Sequence, residues 1–423
     1  MKVLVVELSM KNKDKNHWIV MVVCCGLSSA SIGLIINAMG VFYTPVAQSL
    51  GVMQGTIAAQ GTITLILASG MSFSVPRVLK KYNYKKVLLV SIAIASISTI
   101  MMGFVTHILP FHLLGAVRGL SAAFFSIVPL TMIINQWFEK KHGLATSLVL
   151  GLSGMAGAIF SPIFASLIEN FGWEITYFIK GLILFLLGLP AILYPFSMKP
   201  EDDGLLPYGQ ENSSKKAVMK IAIENEASKF KIVQVSFLCF LVFSTLIAAL
   251  TTIAHHLPSF AASIGHNSAT GALLLSAAMV GNVIFKVIIG LLTDAIGAIN
   301  SCLLMIGINL IGLLMLMFAQ NDWTFVLASF LFGALFSVGS VGAALLTKHF
   351  FGLRNYPKCY PFVSFIGGIG AALALMGIGY IYDFTGSFRA TFIIALIFHA
   401  LSMLLFIVVI VKERKMQLLS VKK

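Results

Sequence analysis

Charge is what this chain has least of. Asp, Glu, Lys and Arg together make up 10% of its 423 residues, against about 25% in a typical soluble chain. So few charges cannot cover the surface of soluble domains, and the 58% of hydrophobic residues must face something other than water. Cysteine is scarce too. Cys24, Cys25, Cys239, Cys302 and Cys359 are odd in number and form no ladder of spacings that reads as a disulfide framework or a zinc site. His-Glu-x-x-His, Gly-x-Ser-x-Gly and paired catalytic carboxylates are absent from the apolar segments, which argues against an intramembrane enzyme and implies no cofactor. Acidic residues are the rarer sign, leaving a net charge of +14. That excess invites a nucleic-acid reading, but the basic residues sit between apolar stretches rather than on an amphipathic face. The sequence is that of a polytopic membrane protein with the lipid bilayer as its partner.

Stretches of about 20 apolar residues, enough to cross roughly 30 Å of hydrocarbon, fall near 17–40, 55–76, 86–106, 109–136, 143–168, 174–197, 232–256, 269–293, 299–318, 323–347, 359–381 and 388–411. Each is too long for a strand, and an open structure in lipid satisfies its backbone only as a helix. The expected fold is all-α, with twelve transmembrane helices. The longest polar stretch, 198–231, divides them six and six, and carries a short amphipathic turn near Val218–Ile223. The expected organisation is a tail at 1–16, a six-helix bundle at 17–197, a linker at 198–231, a second bundle at 232–411 and a tail at 412–423. Such halving is typical of transporters built from repeats.

Loop charge sets an expected orientation. With both termini cytoplasmic, all of the 29 basic residues except Arg118, Lys180, Lys286 and Arg389 lie in cytoplasmic segments. The opposite loops then carry Glu169, Glu174, Asp322 and Asp383. This satisfies the positive-inside rule, accounts for the +14 without nucleic acid, and suits a multi-pass protein of the cell membrane. Trp18, Trp137, Trp173 and Trp323 all fall at span ends, where an aromatic belt is expected.

At this point the residues resemble a known family. A Gly-x-x-x-Asp-x-x-Gly loop follows span 8 as Gly290-Leu-Leu-Thr-Asp294-Ala-Ile-Gly297, and a degraded copy follows span 2 in GMSFSVPRVLKKYNYKK (Gly70–Lys86), with Ser74 in place of the acid. With the six-plus-six layout, these resemble the major facilitator superfamily. Gly290, Asp294 and Gly297 would then form a gating loop. Ser74 would remove the salt bridge that the first loop makes in that family. The closest likeness is to the monocarboxylate and oxalate/formate porter branch. It rests on WFEKKHGLATSLVLGLSGMAG (Trp137–Gly157), on Lys286 four residues before Gly290, and on GYIYDFTGSF (Gly379–Phe388). Val287 replaces the proline usual there, and span 11 has no second buried cation, which argues against oxalate itself.

Arg118, Lys180 and Lys286 lie inside spans 4, 6 and 8, and no acidic residue lies well inside any span. Ionisable groups at that depth are costly and mark function by default. Cations without a carboxylate partner suit an anionic substrate. Lys286, about 12 Å above the inner mouth at about 1.5 Å per residue, is the first candidate, against snorkelling of its stem towards water. Arg118 either grips a carboxylate bidentately or bonds the backbone of a neighbouring helix. Lys180, two turns from the outer interface, is expected to snorkel. His255 and His256 precede Pro258 at the outer end of span 7; they carry a coupling proton or contact substrate, or else form an interfacial pair at a broken helix end. Tyr43, Asn37 and Gln60 are cavity-facing candidates or interhelical glue. Gly151, Gly154 and Gly157 share a face of span 5 and permit close packing.

The expected function is therefore secondary active transport of a small organic anion, a mono- or short dicarboxylate, by alternating access. Exchange and symport, with or without a coupling proton, both fit, and a monomer is expected. The alternative is a proton-driven efflux antiporter for drugs or metabolites. Against it, span 5 has Ser161-Pro162-Ile163 rather than a Gly-Pro-x-x-Gly-Gly signature.

Overall fold

A computed structural model describes residues 16–209 and 234–421, with all their side chains except those of 142, 353, 354, 357 and 413–421. Most of the N-terminal tail and the middle of the linker, including the turn near Val218–Ile223, lie outside the described residues. Among the described residues, ten helices are long and apolar enough to cross a membrane. They become eleven when Gln54–Ser72 and Val75–Lys81, bent by 55°, are taken as one span. The longest, Gly143–Leu193, is two helices joined at Gly172, whose φ of 83° and ψ of 162° break the helix. Twelve spans result: α1 (Asn16–Leu50), α2 (Gln54–Lys81, bent), α3 (Tyr84–Phe104), α4 (Ile108–Trp137), α5 (143–171), α6 (173–193), α7 (Val235–Ser263), α8 (Ser268–Ile296), α9 (Ala298–Phe318), α10 (Asp322–Gly352), α11 (Lys358–Thr385) and α12 (Phe388–Lys412).

Asparagine starts three of them. The Oδ1 of Asn83 accepts from the Lys85 and Lys86 amides before α3, that of Asn267 from Thr270 before α8, and that of Asn321 from Thr324 before α10. Each supplies an acceptor for amides that have no intrahelical partner.

α1 and α7 run further than the sequence suggests, to Leu50 and Ser263. Gly40 and Pro258 read as terminators, but both lie at breaks between helical segments. Pro258 occupies the first turn of a new segment, Leu257–Ser263, where a missing amide costs nothing. Comparable breaks recur in the first helix of every three. α1 is π-helical at Ser29–Asn37 and 3₁₀ at Gly40–Phe42; α4 is irregular at Ala123–Phe125 and Ser126; α7 is 3₁₀ at Thr252–His256; and α10 has a π turn at Val338–Gly342. Such spacing fits three-helix repeats, and π turns concentrate at functional sites.

By contact the chain divides into two units. The first holds the described residues up to Met39 and those from Leu67 into the linker. The second holds Gly40–Ile66 and the described chain after the linker. In the first unit, the basic ends of α1 and α4 are closed by an aromatic cluster of His17, Trp18, Trp137, Phe138 and Tyr208. The start of the linker is strapped to it. The Tyr208 amide donates to the Trp137 carbonyl (2.8 Å), and the Trp137 Nε1 donates to the Ser197 carbonyl (3.0 Å). Trp137 and Trp173 are therefore buried packing residues and not members of a belt, whereas Trp323 is 82% exposed. In the second unit, Phe243 stacks on Phe406 at 4.8 Å while Phe240 meets Phe350 and Phe351, locking α7, α10 and α12 together.

Candidate functional site

Among the buried polar groups of the second unit, those around one cavity and those on one strip of α8 stand out. The cavity, of about 200 Å³, lies between α7, α10 and α11 and is lined among others by Ser244, Gly339, Tyr360, Ser364 and Gly367. Counted at about 1.5 Å per residue, Ser244, Gly339 and Gly367 lie about 14–20 Å from the basic ends of their helices, near the middle of a bilayer core of roughly 30 Å. On the same count Ser364 and Tyr360 lie about 9 and about 3 Å from the start of α11, so the cavity extends towards that end. The π turn of α10 contributes Gly339, and the lack of side chains there and at Gly367 makes the space. The Ser244 Oγ is buried and has no hydrogen-bond partner among the described residues. An unsatisfied hydroxyl at such depth costs free energy unless something binds it.

Lys286 lies on α8 about ten residues or 15 Å from the helix end at Ile296, a depth comparable to that of Ser244 and Gly367. It is half-buried, and no hydrogen bond or ion pair engages it among the described residues. Asn282, one turn away, is 3% exposed, and its Oδ1 also has no partner among them. Positions four apart share a helix face, so α8 presents an amide and an ammonium side by side. One turn further, Ile289 meets α10: a Cβ on Gly342 would sit 3.4 Å from it and 2.9 Å from Cys302. α8 is thus held tightly against α9 and α10, which fixes the strip carrying Asn282 and Lys286. The sequence reading singled out Lys286 and missed Asn282, Ser244, Tyr360 and Ser364. An Asn four residues before a buried Lys was the available signal for Asn282. The hydroxyls gave none, because serines and tyrosines are common in apolar helices.

Tyr43, His255 and His256 come together elsewhere, at the ends of the helices remote from the basic loops. The Tyr43 and His256 rings are 5.0 Å apart. The His256 Nε2 donates to the Leu375 carbonyl at 2.9 Å, and a Cβ on Gly40 would strike the His255 carbonyl at 2.1 Å. The histidines are 5% and 0% exposed. They are not an interfacial pair at a helix end, because the helix continues past them. Around them the residues 40–66 pack on the rest of the second unit. Thr44 donates to Ser259 (3.1 Å), the Thr62 hydroxyl to the Ala372 carbonyl (2.5 Å), and Thr56 pairs with the Tyr380 hydroxyl (3.4 Å). The Asp383 carboxylate caps the start of α2, accepting from the amides of Gln54 (3.1 Å) and Gly55 (2.7 Å). A carboxylate is favoured there by the unpaired amides and the helix dipole.

The remaining candidates stand apart. Asn37 is glue inside the first unit, its amide donating to the Ser153 carbonyl at 2.9 Å. Gln60 bonds Thr64 in its own helix (2.8 Å). Arg118 is 1% exposed in the first unit, and a guanidinium nitrogen donates to the Met102 sulfur at 3.4 Å. Lys180 does not snorkel. At 1% exposure it turns inward, with its ammonium 5.7 Å from the Phe164 ring centre and 5.4 Å from that of Tyr177. The ring faces attract the cation where lipid would not. Gly290 and Asp294 are helical; among the gating-loop residues, Gly297 alone breaks the helix, with φ 82°. Asp294 is exposed and unpaired among the described residues.

The packing around Arg118 makes a prediction that separates its two readings. Arg118→Lys, which removes the planar fork, should cost about 1–3 kcal/mol of stability, as expected for lost buried hydrogen bonds. Substrate KM should stay within about twofold. A KM that collapses with the melting temperature unchanged would make Arg118 a substrate anchor.

Comparison with known proteins gives this arrangement its context. The chain is 24% identical to monocarboxylate transporter 13 of Rattus norvegicus over 307 residues, covering 71% of this chain and 68% of that protein. It is also 24% identical to monocarboxylate transporter 12 of Xenopus laevis over 323 residues, covering 71% and 69%. Among solved structures it is similar in fold to the nucleoside transporter NupG, with a TM-score of 0.68 at 15% identity, covering 92% of this chain and 98% of that one. A bacterial homolog of the human lysosomal transporter Spinster is also similar in fold, with a TM-score of 0.66 at 13% identity, covering 92% and 96%. The model of the Major Facilitator Superfamily matches residues 21–273 and 232–421. The chain belongs to the Major Facilitator Superfamily, resembles its monocarboxylate transporters, and is a multi-pass membrane transporter of a small molecule rather than an enzyme.

Proposed function

We propose that this transporter moves a small organic anion, a mono- or short dicarboxylate, by alternating access, with Lys286 neutralising the substrate carboxylate. The observation that carries the proposal is the half-buried Lys286 ammonium near mid-membrane, with no acidic partner among the described residues. A cation in that position is stabilised by an anion, and charge-assisted hydrogen bonds to carboxylate are among the strong ones. Asn282 offers a further donor beside Lys286 on α8, and in this proposal the substrate also reaches the cavity of about 200 Å³ that α7, α10 and α11 line with the Ser244 and Ser364 hydroxyls. The names of the relatives, monocarboxylate transporters, support the same class.

In this proposal Arg118 holds the first unit together, and Tyr43, His255 and His256 belong to the contact that closes the far end. Access from that end requires Gly40–Ile66 to part from the rest of the second unit, and Asp383 to release α2. The six-helix halves 17–197 and 232–411 rock about the linker at 198–231, in a monomer of the cell membrane with both termini cytoplasmic. Substrate drives the exchange of states only through its different affinity for each. With no carboxylate at the Lys286 strip, coupling is exchange, or symport of a proton that travels with the substrate.

Counterflow in proteoliposomes tests this. Vesicles loaded with an unlabelled short carboxylate should accumulate the labelled species well above protein-free vesicles, and neutral amides of the same acids should not compete. Competition by lipophilic cations, with carboxylates inert, would favour the efflux reading instead.

A further inference from the structure

A groove with a polar mouth lies on the first unit, away from the candidate site residues. It runs between α3 and α4, has a volume of about 710 Å³, and is lined by Lys81, Lys86, Val90, Ile94, Val117 and Leu120 among others. That volume falls within the roughly 300–1,000 Å³ of small-molecule sites. At its base Phe124, Met71 and Val87 belong to a packed cluster built on Val75 and Ala123. Its walls are open: Val90 is 55% exposed, Val117 44% and Leu120 41%. From Lys86 to Ile94 the groove reaches about 12 Å into the hydrocarbon at about 1.5 Å per residue. One end is thus apolar and faces lipid chains, while the other ends in two ammonium groups at the interface.

The mouth is selectively cationic. The sequence has no Asp or Glu between Asp14 and Glu139, so nothing in this stretch neutralises the basic cluster Arg77–Lys86. Lys85 is engaged elsewhere, its ammonium donating to the carbonyls of Ile192 and Tyr194 at the end of α6. Lys81 and Lys86 remain at the groove, both exposed. Asn83 fixes their spacing by capping α3.

We propose that this groove is a binding site for one anionic phospholipid of the adjacent leaflet, its phosphate held between Lys81 and Lys86 and an acyl chain lying along Val90, Ile94, Val117 and Leu120. Basic pockets between transmembrane helices bind such headgroups, and juxtamembrane lysines attract them at close range. A lipid satisfies both ends of the groove at once, which neither a soluble anion nor a neutral lipid does.

The test uses the purified full-length transporter, delipidated and titrated with phosphatidylglycerol or phosphatidylcholine, with retained lipid read by native mass spectrometry. Wild type should retain phosphatidylglycerol preferentially. Lys81→Gln/Lys86→Gln should weaken it by about tenfold to thirtyfold, the scale of two interfacial lysines. Arg77→Gln/Lys80→Gln, with the same loss of charge outside the groove, should retain the preference. Glycerol phosphate, which lacks acyl chains, should not compete. If the lysine pair fails to fold, Leu120→Trp fills the groove with the charge intact and should lower retention on its own. Equal retention of the two lipids by wild type, equal loss in the two double variants, competition by glycerol phosphate, or no effect of Leu120→Trp overturns the site.

Discussion

Replacing Gly379 by alanine should pry open the far end of the second unit. A Cβ there would sit 2.5 Å from the Gly55 Cα and 2.7 Å from its amide nitrogen. Both obstacles are backbone, and no side chain can swing aside to make room. Overpacking of this kind costs about 1–3 kcal/mol. The cost falls only on the conformation in which α2 touches α11, so the population should shift from it by about 5- to 150-fold. Ser259, 1% exposed and bonded to Thr44, is the reporter. In a chain whose five cysteines are replaced, Ser259→Cys should be nearly inert to an impermeant maleimide, and Gly379→Ala should raise its labelling rate by that factor. Gly377→Ala is the control, since nothing lies within 4 Å of its Cβ. Unchanged labelling in Gly379→Ala would mean that Gly40–Ile66 does not separate from α11 during the cycle. Asp383→Asn should act in the same direction but less strongly, because the amide keeps one acceptor for the start of α2 while the favourable charge at the helix end is lost.

Lys286→Gln should cut carboxylate transport by about one to two orders of magnitude. Loss of a charge-assisted hydrogen bond is worth about 1.5–3 kcal/mol, or about 10- to 150-fold in affinity. The loss should appear in kcat/KM for carboxylates. Lys286→Arg keeps the charge and should recover part of the activity, since a guanidinium pairs with carboxylate but places it differently. Lys286→Met, equal in length and uncharged, should behave like the glutamine variant. Three variants that are equally inactive yet folded would point to a role for the amine other than charge.

Much of the fold was legible because lipid imposes length. Twelve apolar stretches of about 20 residues admit few other arrangements, and the charge of their loops divides them into two sides. What misled were local signals whose meaning depends on packing. Gly40 and Pro258 look like ends of helices and are breaks within them. Trp137 and Trp173 stand at span ends in sequence but turn inward, and Lys180 finds two aromatic faces that its sequence neighbours do not announce. Lys286 was legible as a candidate because an isolated cation in an apolar helix is rare. Ser244, Tyr360 and Ser364 were not, since their significance comes from three helices converging on one cavity. Asp383 was hidden most completely. Read along the chain it is a loop charge beside Gly386, and only the fold shows that its carboxylate caps a helix more than 300 positions earlier in sequence.

The most direct test of the account is a thermal-stability screen of purified wild type beside Lys286→Gln, against short carboxylates, their neutral amides and lipophilic cations. A ligand that binds only the folded state stabilises it by mass action, about 2.7 kcal/mol at a hundredfold excess over Kd. At least one mono- or short dicarboxylate should raise the melting temperature of wild type, its amide should not, and Lys286→Gln should lose the response while melting as cooperatively as wild type. Stabilisation by cations or amides alone, or an equal carboxylate response in the variant, would contradict Lys286 as the anchor of an anionic substrate.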